Sequence, residues 1–198
     1  MAWTELGREA QDANRKDRDR LIGVYIGVLA VILAICGMGG GNAAKEATLK
    51  NIEATNTWSF FQAKNLRRQV LRAQTEELEL WLLKEPQMGE SARAAVAAKI
   101  AANKQQADQL TSDPASREGL DQLWERGKAL EVERDLAMRR DPYFDYGQAM
   151  LQIAIVLASV ALISSGNMLL FVSAFIGLVG TLLTLNGFFL LTRLPLVG

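Results

Sequence analysis

Three long apolar stretches constrain this chain more than any other feature. Residues 21–41 contain no charged side chain, and residues 147–165 and 168–191 are equally free of charge. A helix rises about 1.5 Å per residue, so roughly twenty apolar residues cross a hydrocarbon core about 30 Å thick. We therefore expect an all-α membrane protein with three transmembrane helices, one for each stretch.

The remaining residues form a charged tail, residues 1–20, and a long central segment, residues 42–146. Ala, Leu, Glu, Gln, Lys and Arg dominate the central segment, and no strand-like alternation is visible in it. We predict that this segment is a helical stalk outside the bilayer, between the first and second transmembrane helices.

Two prolines divide the stalk into three predicted helices. The first ends near Lys84, because the residue before Pro86 avoids the helical region. Ser91 is the expected cap of the second helix, and Asp113 with Pro114 is the expected start of the third. The first helix is about as long as the other two together. We therefore expect a hairpin in which the first helix runs antiparallel to both.

The first stalk helix shows the periodicity of a coiled coil, with a stripe of residues at alternating steps of three and four. The stripe is Leu49, Ile52, Asn56, Ser59, Ala63, Leu66, Val70 and Ala73. Asn56 of the first stalk helix and Asn103 of the second both fall on seam positions of such a coiled coil. A buried amide at a seam position fixes the register of the pairing. The alternative is that both amides are solvated, on helices that are imperfectly amphipathic.

The chain re-enters the apolar region through residues 139–146. Asp141 and Pro142 repeat the helix-start pair seen earlier in the stalk. Tyr143, Phe144 and Tyr146 are typical of the aromatic belt at a membrane interface. A binding patch for a partner is the alternative interpretation of this junction.

Small residues form a stripe along each apolar stretch, and such stripes let membrane helices approach closely. The residues that we select for packing within or between subunits are Gly23, Gly27, Ala30, Ala34, Gly177 and Gly180. The second stretch repeats the pattern with Ala154, Ala158, Ala161 and Ser165. Polar groups inside the stretches are few, notably Gln152 and Asn186. We expect these to make interhelical hydrogen bonds, with an aqueous path as the alternative.

Two motifs resemble a family of bacterial membrane proteins called domain of unknown function 4337. One is GNAAKEATLKNIEATNTWSFFQAK, residues 41–64, and the other is DPYFDYGQAMLQIAIVLASVALIS, residues 141–164. The resemblance extends over nearly the whole chain, in order. It implies a small bacterial membrane protein and no assigned activity.

Composition argues against several functional classes. Lys plus Arg and Asp plus Glu number 22 each, so no net field attracts nucleic acid. Histidine is absent, which removes the commonest general base and metal ligand. The single cysteine, Cys36, lies in the first apolar stretch. We therefore expect no enzymatic activity, no cofactor, no metal site and no small-molecule substrate.

The expected function is that of a non-enzymatic scaffold or accessory subunit in the bacterial inner (cytoplasmic) membrane. Such a protein self-associates or docks on a larger membrane complex, and the alternative is an oligomeric channel or transporter component. Trp58, Phe61 and Lys64 are candidate contacts for a partner, or else part of the hairpin core. Basic residues precede both the first and the second apolar stretch, so the orientation of the chain in the membrane stays open. The basic residues before the first stretch favour a cytoplasmic N-terminus.

Overall fold

The computed structural model describes the backbone of residues 2–164 and 166–192, and the side chains of this part from residue 15 onward. These residues form four α-helices and no strand, which confirms the all-α fold class. The helices are α1 (Ala2–Lys84), α2 (Glu90–Thr111), α3 (Leu120–Ser164) and α4 (Asn167–Phe189). Ser165, predicted as the end of a stretch and a stripe, lies outside the described residues. By length and composition, α1, α3 and α4 are each able to cross a membrane.

Contacts divide the chain into two compact units. The apolar unit consists of the described residues of Met1–Ala47 and Asp135–Gly198, and the charged unit is Thr48–Arg134. Helices α1 and α3 contribute residues to both units, whereas α2 belongs to the charged unit and α4 to the apolar unit.

In the apolar unit, α1 packs through residues spaced seven apart. Leu29, Cys36 and Ala43 are buried, and they form one cluster with Phe144, Leu151 and Ala154 of α3. A seven-residue repeat keeps one side of a helix against its neighbour over several turns. The side of α1 that packs inside the chain is therefore the face with Leu29, Cys36 and Ala43.

Helix α4 approaches both neighbours through glycine. A Cβ at Gly177 would lie 3.1 Å from Leu29 Cδ2, and a Cβ at Gly180 would lie 2.9 Å from Leu151 Cγ. The buried Ser173 hydroxyl donates to the carbonyl of Ala154 at 2.7 Å. Small side chains thus allow the backbones of α4 and α3 to come so close that a serine side chain of α4 bonds directly to the backbone of α3.

The glycines at residues 39–41 do not interrupt α1, which is one continuous helix. A Cβ at Gly39 would lie 2.5 Å from Phe144 Cε1 and 2.9 Å from Phe188 Cζ. The rings of Phe144 and Phe188 meet edge to face, with centroids 4.9 Å apart. Gly39 therefore makes room for an aromatic pair from α3 and α4, and packing on one side supports the helix where glycine weakens it.

In the charged unit, the residues of α1 with higher numbers pair with α2, and those with lower numbers pair with α3 and the residues just before it. The pairs are Glu79–Lys104 (2.7 Å), Arg68–Thr111 (3.3 Å), Lys64–Glu118 (3.3 Å) and Lys50–Glu133 (2.9 Å). Because one number falls while the other rises, α1 runs antiparallel to both helices within this unit.

Two predicted helix starts in this unit are wrong. Asp113 does not begin α3; its carboxylate accepts hydrogen bonds from the backbone N–H and hydroxyl of Ser116, at 3.1 and 2.6 Å. Such a bond closes a local turn. Arg117 then adopts a left-handed conformation (φ 57°), which a helix cannot continue through. Similarly, Ser91 lies inside α2, whose N-cap is Gly89 without a side-chain hydrogen bond.

The predicted helix start at Asp141 and Pro142 is also wrong, because both residues lie inside the continuous helix α3. Of the three aromatic residues expected in an interfacial belt, Tyr143 and Phe144 are buried, whereas Tyr146 is exposed. The Tyr143 hydroxyl donates to the carbonyl of Thr192 at 3.1 Å. Tyr143 and Phe144 therefore pack against protein in the apolar unit.

We predict opposite effects from one substitution at two glycines. Gly180→Ala should destabilise the fold by about 1–3 kcal/mol, because the new methyl group overlaps Leu151. Gly27→Ala should leave the fold of the single subunit unchanged or more stable, since nothing in the subunit lies within 4 Å of its Cβ position and alanine is the better helix former. Thermal unfolding of each variant in mild detergent measures both effects. Equal midpoints for the two variants would contradict the described packing of α4.

Candidate functional site

Three aromatic rings cluster where α1 meets α3 in the charged unit. Trp58 contacts Phe61 and Trp124 edge to face, with ring centroids 5.7 and 5.1 Å away. Gly127 lies beneath this cluster, since a Cβ there would be 2.9 Å from the Trp58 ring. Edge-to-face pairs add about 0.5–1.5 kcal/mol beyond the area that they bury. The cluster therefore fixes the spacing between the two helices.

Polar contacts hold the indole of Trp58 in place. Its Nε1 donates to Glu131 Oε1 at 3.0 Å, and Lys128 donates to the other oxygen of the same carboxylate at 2.9 Å. The Lys128 ammonium also lies over the Trp58 and Trp124 rings, 5.7 and 5.5 Å from their centroids. Hydrogen bonding from Lys128, and less so from Trp58, lowers the pKa of Glu131 below its ordinary value of 4.5.

Lys64 lies on α1 one turn after Phe61 and contacts Phe60 and the loop before α3. Its ammonium pairs with the Glu118 carboxylate at 3.3 Å and lies 4.7 Å from the centroid of Phe60. Trp58, Phe61 and Lys64, the predicted contacts for a partner, are thus all engaged with the chain's own loop and α3. Sequence reasoning missed Trp124, Lys128 and Glu131, because only the antiparallel pairing brings them to α1. The edge of the cluster at Trp124 remains exposed.

The small residues selected for packing occupy two kinds of environment. Gly177 and Gly180 are buried between α4 and its neighbours. Four others are exposed on α1: Gly23, Gly27, Ala30 and Ala34. The α1 stripe therefore points away from the packing of its own chain, and a role between subunits stays a prediction for these four residues.

The two polar residues singled out in the apolar stretches also differ. Gln152 is exposed. Asn186 is buried and donates to the Thr192 carbonyl at 2.9 Å, while its own oxygen accepts from the Thr192 backbone N–H at 2.9 Å. The Leu190 N–H bonds the Asn186 carbonyl at 2.7 Å, with Leu190 left-handed. Asn186 thus closes the C-terminal end of α4 through its own segment, rather than through the interhelical bond expected from sequence.

The coiled-coil stripe of α1 does not face α2 or α3. All eight of its members are exposed: Leu49, Ile52, Asn56, Ser59, Ala63, Leu66, Val70 and Ala73. The residues that α1 buries in the charged unit lie on its other side and include Ala54, Thr57, Leu71 and Thr75. The intrachain packing and the heptad stripe therefore use different faces of one helix.

The clustered polar side chains that the structure describes contact one another. Among the described side chains, no three His, Cys, Asp or Glu residues group as a metal site. Cys36 is fully buried and its thiol donates to the carbonyl of Phe144 at 3.2 Å. Among the described residues, Glu131 is paired with Lys128 and Trp58 through hydrogen bonds.

The fold defines an all-helical protein with three helices of membrane-spanning length. The family model Domain of unknown function (DUF4337) matches residues 18–190. This match covers most of the 198 residues, so the chain belongs to that family, which confirms the resemblance found in its motifs. No curated protein and no solved structure matches the chain.

The Trp58–Glu131 contact predicts a pH effect. The pKa of Glu131 is lower in the folded state, so its charge stabilises the fold at neutral pH, and this contribution is lost as the pH falls below 4.5. Glu131→Gln should therefore lower stability at pH 7 and make it less sensitive to acid. Denaturant titration followed by tryptophan fluorescence measures this. The exposed Glu125, substituted in the same way, serves as the control, and identical acid profiles for the two variants would contradict the assignment.

Proposed function

We propose that this chain is a non-enzymatic scaffold or accessory subunit of the bacterial inner membrane. Helices α1, α3 and α4 cross the bilayer, the charged unit forms a helical hairpin stalk outside it, and the N-terminus is cytoplasmic. The protein self-associates or docks on a larger membrane complex through its helices. Three helices of sufficient length support a place in the membrane. The resemblance of residues 41–64 and 141–164 to a bacterial membrane family supports a bacterial one.

The observation that carries the proposal is the exposed small-residue face of α1. Equivalent small residues on α3 and α4, such as Ala154 and Gly180, are buried inside the chain. On α1 the corresponding positions have open space, with nothing within 4 Å of a Cβ at Gly23 or Gly27. In lipid, helices associate through close backbone approach, because apolar area alone gives no preference for protein over lipid tails. A glycine face left open is therefore suited to another helix.

The polar groups of the apolar unit support contact rather than transport. Ser173, Asn186 and Cys36 all donate hydrogen bonds to backbone carbonyls of the chain. The three apolar stretches contain no charged side chain. A proton relay or a substrate-ion site within a membrane ordinarily uses ionisable residues. Scaffolding needs none of these ionisable groups, and Ser173, Asn186 and Cys36 instead hold parts of the chain's own backbone in place.

Substitution at Gly27 tests the assembly surface. Gly27→Leu should weaken association about tenfold or more, equivalent to about 1.4 kcal/mol, because the side chain separates two backbones. The chain's own fold should survive, since the position is open within the subunit. Val28→Leu is the matched control on the adjacent exposed position. Native mass measurement of the full chain in mild detergent, across a dilution series, reports the change.

Three outcomes would overturn the proposal. One is loss of the protein from bacterial membranes on alkaline carbonate extraction. Another is unchanged mass and unchanged copurifying partners in Gly27→Leu. The third is solute or ion flux in reconstituted vesicles that is abolished by changing Asn186, which would assign the protein to channels or transporters.

A further inference from the structure

Helix α1 presents a second, aliphatic face in the charged unit, here called the heptad seam: Leu49, Ile52, Asn56, Ser59, Ala63, Leu66, Val70 and Ala73. Leu49, Ile52, Leu66 and Val70 are 60, 51, 63 and 47% exposed. These are large aliphatic side chains on a helix whose other side is already packed against α2 and α3. The described residues of the chain therefore leave this face uncovered.

The spacing of the seam specifies what kind of surface fits it. Positions a are Leu49, Asn56, Ala63 and Val70, and positions d are Ile52, Ser59, Leu66 and Ala73. A strict seven-residue repeat matches a neighbouring helix with the same repeat, through knobs packed into holes. At about 1.5 Å per residue, the seam is about 37 Å long. It ends at Glu77, the next a position, where a carboxylate is unfavourable in a buried seam.

We propose that the heptad seam is covered by the same seam of a second copy, in a parallel, in-register, two-stranded coiled coil. The proposal rests on the proposed function in one respect: both copies are anchored in one bilayer through the same helix. That anchoring gives the two α1 helices the same direction. It also restricts the partners to the plane of the membrane, which raises their effective concentration.

Asn56 favours the parallel, in-register pairing. In that arrangement Asn56 faces Asn56 of the partner copy. Each side-chain amide has an NH₂ group that can donate to the other and a carbonyl oxygen that can accept from it. A single Asn at position a is the known device that fixes register and two-strand pairing. An antiparallel pairing centred on the seam would place Asn56 opposite Leu66. The amide would then be buried without a hydrogen-bond partner, which is unfavourable.

The residues flanking the seam are compatible with the same pairing. In a parallel dimer each g position faces the following e position of the partner. These pairs are Thr55–Phe60, Gln62–Arg67 and Gln69–Gln74. Since none of them joins like charges, two copies meet along the seam without repulsion, and Gln62 can accept a hydrogen bond from Arg67.

Cysteine crosslinking of the full chain in bacterial membranes tests the proposal. In a Cys36→Ala background, single cysteines replace Leu49, Leu66 or Val70, and copper–phenanthroline supplies the oxidant. Each variant should form a disulfide-linked dimer with itself, because in-register pairing places identical residues opposite each other. Val132→Cys, an equally exposed aliphatic position on α3, is the matched control and should give at least tenfold less dimer.

The pattern of crosslinks separates the alternatives. Dimers from mixtures of Leu49→Cys and Ala73→Cys, without self-crosslinking of either, would indicate antiparallel pairing and overturn the proposal. Equal crosslinking at Val132 and Leu66 would reflect random collision and also overturn it. Absence of seam crosslinks from protein that resists carbonate extraction would overturn this inference alone. Loss of the protein from the membrane on extraction, by contrast, is a failure of the proposed function.

A second variant tests the seam without cysteine. Leu66→Glu should lower the dimer fraction at least tenfold in native mass measurement, because it puts two carboxylates in the seam. Val132→Glu should leave the dimer unchanged. Unfolding temperatures of the monomeric fraction should agree between the two variants, since both positions are exposed within the chain. Equal dimer fractions for the two variants would overturn the proposal.

Discussion

The close approach of α4 to α3 is the contact on which the apolar unit depends. At Gly180 the backbones are near enough that a Cβ would lie 3.1 Å from the carbonyl oxygen of Gly147. At that separation the Ser173 hydroxyl reaches the Ala154 carbonyl, and the Tyr25 hydroxyl lies 3.2 Å from the same serine. One short interhelical distance therefore positions three helices at once. Larger side chains at the glycine positions would remove these polar bonds together with the packing.

Sequence alone predicted the all-α fold, the three membrane-length stretches and the small-residue faces of α3 and α4, but not the helix starts at Glu90 and Leu120. It did not identify the inner face of α1, because almost every face of that stretch is apolar. Glycine spacing selected Gly23 and Gly27, whereas the chain packs through Leu29 and Cys36. Packing of α1 against α3 and α4 is decided by the shape of Phe144 and Leu151, residues more than 100 positions away in the sequence. Composition within a single stretch contains no such information.

The aromatic cluster around Trp58 was also only partly predictable, because some of its members come from a distant part of the sequence. The motif around Trp58 stood out in the sequence, and two interpretations stayed open because its surroundings were unknown. The structure supplies Trp124 and Glu131, which reach Trp58 only through the antiparallel contact of α1 with α3. The local turn at Asp113 was missed because its carboxylate has two competing uses, capping a helix or closing a turn with Ser116. The left-handed Arg117 decides between them.

Helix α1 is the element in which structure and proposed function meet. Its buried residues, such as Leu29 and Leu71, are sufficient to join it to the rest of its own chain. A helix that served only as an anchor would need no aliphatic heptad on its polar part, since exposed Leu49 and Leu66 gain nothing from water. In the proposed placement, the glycine face of the apolar unit lies in lipid and the heptad seam of the charged unit lies in water. Close backbone approach favours helix association in lipid, whereas an aliphatic heptad favours it in water, so each face of α1 has the residue types suited to its proposed surroundings.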